Sequence, residues 1–212
     1  MATSEALINA FTTLLVTVDP PGLAPLFLGL TQGMTNAQRR QVAIRGPVIG
    51  FLILTAFALF GAAILGALGI NTSALRIAGG LLLFTIAFEM IFEKRNERKE
   101  KTTGDAITKD HIHNLAAFPL AIPLIAGPGA LTSLLLLMGR AHGDIWGQAV
   151  VLGVLALVLL ANLAVLLAAA KVSKLMGVTG VNVINRVVGI LLAALACQFV
   201  IDGILQSGIV KT

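Results

Sequence analysis

The sequence predicts an all-helical integral membrane protein of six transmembrane helices, arranged as a 3+3 inverted-topology repeat whose first and fourth helices are broken at proline and glycine. Three observations predict it: apolar blocks of membrane-crossing length, basic residues gathered in alternate connections, and two motifs that recur in order in the second half. Only 12% of the 212 residues are charged and 57% are hydrophobic, with a mean hydropathy of +0.95. Soluble domains run at roughly 25% charged residues, so this chain cannot dress a water-facing surface of ordinary size. Its apolar residues fall in blocks of about 20, the length that crosses a hydrocarbon core of roughly 30 Å as a helix.

The first span covers Ala6–Leu30 and contains Pro20, Pro21 and Pro25. A proline inside a helix removes a backbone donor and clashes with the preceding turn. Two in succession, followed by Gly22, should end one half-helix near Val18 and begin another at Pro20 or Pro21. Asp19 then takes the N-cap position, with proline in its favoured first-turn place. The connection Thr31–Gly46 carries Arg39, Arg40 and Arg45, and the second span follows over Pro47–Ile70, with proline at its start. The third span, Ala74–Phe92, opens on Leu75-Arg76-Ile77-Ala78-Gly79-Gly80.

Residues 1–92 form the first three-helix repeat, and Glu93–Asn114 reads as a solvated cytoplasmic linker rich in charge. Its Asp110, His111 and His113 sit in too polar a setting to close a metal site. Residues 115–212 form the second repeat. The fourth span, Leu115–Gly139, holds Pro119, Pro123 and Pro128; Gly127 precedes Pro128, and Thr132 and Ser133 follow one turn later. The fifth is Ile145–Ala170. The sixth, Val183–Gln206, opens on Asn185-Arg186-Val187-Val188-Gly189 and includes Cys197, read as a packed small hydrophobe.

Loop charge sets the orientation. Arg39, Arg40, Arg45, Lys94, Arg95, Arg98, Lys99, Lys101, Lys109, Lys171, Lys174 and Arg186 fall beside connections on one side, and only Arg76, Arg140 and Lys211 on the other. The positive-inside rule makes the basic side cytoplasmic and leaves both termini outside, on the periplasmic face of the plasma (inner) membrane. The net charge of +5 therefore speaks for topology and not for nucleic acid. No basic n-region precedes the first span, so no cleavable signal peptide is expected.

Internal symmetry comes from two matches. Leu75-Arg76 through Leu81-Leu82 aligns with Asn185-Arg186 through Leu191-Leu192, sharing the arginine, a glycine and both leucines. Pro20-Pro21-Gly22 aligns with Gly127-Pro128-Gly129. Three spans per half is an odd number, so the halves enter the membrane from opposite sides, a plan common among secondary transporters. Backbone broken at this depth must be buried in protein or line a wet cavity. Each half-helix start exposes N–H groups and a positive dipole end suited to an anion. Asp19 is the one acid near the middle of any span, and an intramembrane carboxylate suggests function by default. It is expected to cap its half-helix, and beyond that to carry a proton or to hold a cation or a substrate ammonium. Arg76 and Arg186, with Asn185, are candidate coupling or gate residues, although snorkelling to the interface also accounts for the arginines. Gln198 is a candidate for hydrogen bonding between helices.

These residues resemble the MarC family of bacterial and archaeal membrane proteins. The motifs are Asp19-Pro20-Pro21-Gly22-Leu23-Ala24-Pro25-Leu26-Phe27-Leu28, Leu75-Arg76-Ile77-Ala78-Gly79-Gly80, and Pro119-Leu120-Ala121-Ile122-Pro123-Leu124-Ile125-Ala126-Gly127-Pro128-Gly129. Asn185-Arg186-Val187-Val188-Gly189 and Gln198-Phe199-Val200-Ile201-Asp202-Gly203-Ile204 complete them, so the resemblance spans nearly the whole chain. The doubled proline departs from the family's usual single proline followed by an apolar residue. The resemblance implies a multipass plasma-membrane protein, one branch of which looks like transporters of small neutral amino acids such as glycine and alanine; it does not imply drug efflux.

The expectation is therefore a secondary transporter, possible coupling being to protons or cations, with a small-molecule substrate bound by Asp19, Pro21, Gly22, Gly127, Gly129, Thr132 and Ser133. An inorganic-ion channel or carrier, or a non-transporting membrane protein, is the alternative. One cysteine, no intramembrane histidine and no ligand cluster argue against an enzyme, a metal or a cofactor. Lipid is an expected partner and nucleic acid is not. The pattern leaves the oligomeric state open.

Overall fold

The computed structural model describes residues 4–92, 109–141, 144–172 and 178–208, and within them regular structure is entirely helical. Helices α1 (Ser4–Val18) and α2 (Pro20–Leu30) form one apolar span interrupted at Asp19. The interruption falls where the doubled proline puts it. Helix α3 (Asn36–Ala67) is 32 residues long and starts well before the expected Pro47. Its start is fixed by a capping box: Thr35 Oγ1 accepts from the Gln38 N–H at 3.3 Å, and Gln38 Oε1 accepts from the Thr35 N–H at 2.8 Å. The arginines assigned to a turn thus ride the first turns of α3, where Arg39 Nε donates to the Thr31 carbonyl at 3.2 Å. Pro47 is buried within the helix, and its missing N–H leaves the Ala43 carbonyl without its usual donor.

Helix α4 (Thr72–Ile91) is capped by Asn71, whose Oδ1 accepts from the Ala74 N–H at 2.7 Å. Residues 93–108, most of the expected linker, lie outside the described residues. Its end differs from expectation: α5 (Lys109–Leu115) is helical, with Ile112 and Leu115 buried. There follows a segment of wide π-type turns, Ala116–Ile125, extended at Phe118 (φ −139°, ψ 124°) and Ile122 (φ −122°, ψ 127°). Both residues precede prolines, which disfavour helical backbone at the residue before them; the Phe118–Pro119 and Ile122–Pro123 bonds are cis. Helix α6 (Pro128–Arg140) leaves at 60° to this segment. Helices α7 (Ile145–Val172) and α8 (Val178–Gln206) complete the described chain.

Among the described residues, four helical stretches are long and apolar enough to cross a membrane, and a fifth if the bent pair at Gly127 is one span. The most extensive helix pair is α4 on α8. A Cβ on Gly80 would lie 2.7 Å from the Ala196 carbonyl oxygen, and one on Gly203 would lie 2.9 Å from that of Ser73. Glycine lets these two backbones touch, the device by which membrane helices associate without a hydrophobic drive. Gly50 on α3 makes room instead for a side chain, that of Ile125, whose Cγ2 would lie 2.7 Å from a Cβ there. Helix α7 packs along α1, α2 and α3. The core is apolar (Leu14, Phe27, Leu54, Leu120 and Leu155 are fully buried), yet so is the outside, with Val16 74%, Leu52 62% and Ile145 82% exposed. Only a hydrocarbon solvent makes such an exterior stable. Trp146, 80% exposed at one end of α7, suits the aromatic belt at an interface. Cys197 lies on the exposed face of α8, not packed inside as expected.

Candidate functional site

The two chain breaks meet at one cavity of about 240 Å³. The first break supplies Thr17, Val18, Asp19 and Gly22; the second supplies Pro123, Gly127 and Gly129. Leu83 of α4 and Leu191, Leu192, Leu195 and Phe199 of α8 close the walls. These five were not singled out from sequence, because a leucine in an apolar span does not reveal which way its helix is turned.

At the first break Asp19 adopts left-handed backbone (φ 49°, ψ 64°), uncommon outside glycine and tolerated best by asparagine and aspartate. Its Oδ1 accepts from the Gly22 N–H at 3.1 Å, and its carbonyl accepts from the Leu23 N–H at 3.0 Å. Pro20 and Pro21 have no N–H. The start of α2 is therefore closed by its own N-cap, and no donor is left there for a ligand. This corrects the expectation that N–H groups around Gly22 would hold an anion. The Gly22 position tolerates no side chain, since its Cβ would fall on the Asp19 carboxylate and 2.7 Å from Cγ. On the other side of the break, the two prolines leave the Val16 and Thr17 carbonyls without their i+4 donors. The break thus presents acceptors: a carboxylate and the negative end of α1.

The second break has the opposite character. Gly127 caps α6 with no side-chain hydrogen bond, and Pro128 stands at the first helical position. A side-chain cap has no room, because a Cβ on Gly127 would lie 2.6 Å from the Pro123 carbonyl oxygen. Leu131 N–H bonds the Gly127 carbonyl at 2.9 Å, so among the described residues the N–H groups of Gly129 and Ala130 are the unclaimed donors of the first turn. Gly129 faces the cavity, its α-carbon turned toward Phe199. Donors on one side and acceptors on the other, in an apolar chamber, suit a small dipolar solute.

The remaining sequence-derived candidates lie elsewhere. Thr132 is buried off the cavity, its hydroxyl donating to the Pro128 carbonyl at 2.7 Å. Ser133, on the same helix, and Pro21 do not line the cavity. Arg76, on α4, is half-buried away from it, with Nε lacking a hydrogen-bond partner among the described residues. Arg186 is exposed on α8, and the Asn185 side chain lies outside what is described. Gln198 donates to Asp202 Oδ1 of its own helix at 2.7 Å, which corrects its expected role between helices.

Residues 4–207 match the family profile described as MarC family integral membrane protein. Over 198 residues the chain is 36% identical to a UPF0056 membrane protein of Archaeoglobus fulgidus, covering 93% of this chain and 91% of that one. It is 34% identical to a UPF0056 membrane protein of Methanocaldococcus jannaschii (93% and 86% covered). Identity is 33% to the UPF0056 membrane protein YvbG of Bacillus subtilis (93% and 93% covered). No solved structure matches the chain.

Proposed function

The chain belongs to the MarC family of integral membrane proteins, and from that premise we propose that it is a secondary transporter of small neutral amino acids. The observation that carries this reading is the pairing of Asp19 with the open start of α6 across one small apolar cavity. A zwitterion needs donors for its carboxylate and an acceptor for its ammonium. The Gly129 and Ala130 N–H groups, at the positive end of α6, serve the first. Asp19 serves the second, or carries the coupling proton in its place. Glycine at 129, with its nearest neighbour Phe199 Cζ 3.7 Å from where a Cβ would stand, leaves room for a hydrogen or methyl side chain and little more. The apolar walls lower the local dielectric and strengthen both contacts.

The architecture that goes with this reading is six passes in two inverted halves. Helix α4, at 20 residues, is roughly 30 Å long and can serve as the third pass. Burial supports the repeat independently of the motifs. Ala43, Gly46, Pro47, Gly50, Leu54, Ala58 and Gly61 are buried on α3; Val151, Val154, Leu155, Val158, Asn162, Leu166 and Ala169 are buried on α7, each 108 residues later. The motif offsets are 107 for the first and fourth spans and 110 for the third and sixth, on either side of that value. With loop charge as the guide, this reading puts both termini on the outer face.

Purified protein in liposomes tests the reading. Labelled alanine should accumulate or exchange saturably under a proton or sodium gradient, and Asp19→Asn should abolish this. Absence of alanine and glycine movement under every gradient would overturn it.

A further inference from the structure

Asn162 is fully buried on α7, and among the described residues neither its amide oxygen nor its amide nitrogen has a hydrogen-bond partner. An orphaned buried amide is costly and demands a ligand, an ion or a water. The fold does not require it: the matching position on α3 is Leu54, equally buried and wholly apolar. Its depth can be read along the helices. Ala10 of α1 and Val151 of α7 both line a second cavity near the starts of their helices, and α7 packs on α2 as well as α1, so it runs in the same direction as the broken span. Pro21 lies eleven residues beyond Ala10, and Asn162 lies eleven residues beyond Val151. At 1.5 Å per residue both are roughly 17 Å further on. Asn162 is therefore roughly level with the break, on a helix that does not itself line the cavity.

At that level the break is short of positive charge. The Val16 and Thr17 carbonyls have lost their donors to Pro20 and Pro21, and they form the negative end of α1. Asp19 adds a full negative charge, and its carboxylate accepts only the Gly22 N–H among the described residues. We propose that a small monovalent cation of the sodium class binds here, held by Asn162 Oδ1 and the donor-free carbonyls at the end of α1. An ion that keeps one water satisfies both ends of the amide, Oδ1 on the ion and Nδ2 on the water. Neutral oxygen ligands suit an alkali cation better than a divalent one, which gathers carboxylates. The ion offsets the Asp19 charge and ties the end of α1 to α7. It stands whether or not the transported solute is an amino acid.

Thermal unfolding of the purified protein, with no amino acid present, tests this. Sodium chloride replaces choline chloride at constant ionic strength. The wild type should gain several degrees of melting temperature with sodium, saturably. Asn162→Leu, which installs the residue of the first half, should unfold at an equal or higher temperature in choline and lose the sodium response. Asn162→Asp, which keeps the oxygen and adds charge, should respond at tenfold or lower sodium. A wild-type melting temperature indifferent to sodium means the amide holds a trapped water only, and overturns the proposal. So does a sodium response that survives Asn162→Leu, or a midpoint unmoved in Asn162→Asp should the leucine variant not fold.

Discussion

At Asp19 one side chain meets three demands: left-handed backbone, a cap for α2, and charge toward the cavity. Substitutions separate them. Asparagine tolerates left-handed backbone and caps a helix about as well as aspartate. Asp19→Asn should therefore hold stability within about 0.5 kcal/mol and lose alanine uptake, as scanning calorimetry beside transport would report. Asp19→Ala loses the cap and puts a β-carbon on left-handed backbone; it should cost about 1–2 kcal/mol. For a chain of this size that is a fall of roughly 2–8 °C in melting temperature. Gly22→Ala makes the complementary case. Alanine is the better helix former, by about 1 kcal/mol, yet its methyl displaces the Asp19 carboxylate, so the variant should melt lower than wild type. A rise would show that the cap is dispensable. Much of this was legible in the sequence, since Asp-Pro-Pro-Gly encodes both the break and its cap. The consequence for the site was not, because only geometry shows that Asp19 consumes the one N–H its prolines leave free.

The breaks acquire their different characters from elements around them. Proline recurs in both, yet a carboxylate closes α2 while the Pro123 carbonyl holds side chains away from the start of α6. Gly129→Ala tests the open end directly. The added Cβ would sit 3.7 Å from Phe199 Cζ, an ordinary contact, so the helix should keep its melting temperature. The methyl occupies cavity space, so the KM for alanine should rise several-fold more than that for glycine in proteoliposome uptake. Equal effects on the two would place the solute elsewhere. The α4–α8 pair gives a stability prediction of the same rank. Gly80→Val drives a side chain into the Ala196 carbonyl and Val200, and should cost about 1–3 kcal/mol by overpacking. Gly66→Ala, with nothing within 4 Å, should be neutral to within about 1 kcal/mol. Glycine content alone could not rank these positions, because close approach depends on the rotation of two helices. Asn162 did carry a signal: it is the only polar residue between Val150 and Ala170.

For the whole molecule, four apolar spans, and a fifth at the bent pair, were legible from hydropathy, and their ends were not. Pro47 looked like a boundary because proline commonly starts helices, but Thr35 and Gln38 cap α3 earlier, where its first turns have water outside and Val42 and Ala43 to bury. Membrane exit and helix end are separate events, and only the first follows from apolarity. The inverted reading makes the sides of the membrane a matter of measurement. In a Cys197→Ser background, Leu68→Cys sits at the exposed end of α3 and Arg40→Cys in its first turns, both on exposed surface. The helix from residue 40 to 68 is roughly 42 Å long, enough to separate them by a full bilayer. A membrane-impermeant maleimide should label Leu68→Cys in intact cells and reach Arg40→Cys only after permeabilisation. The reverse pattern would invert the orientation taken from loop charge, and Asp144→Cys then distinguishes a flipped molecule from a wrong span count. With six passes, residue 144 shares the side of residue 68; loss of the α4 pass alone would place the two on opposite faces.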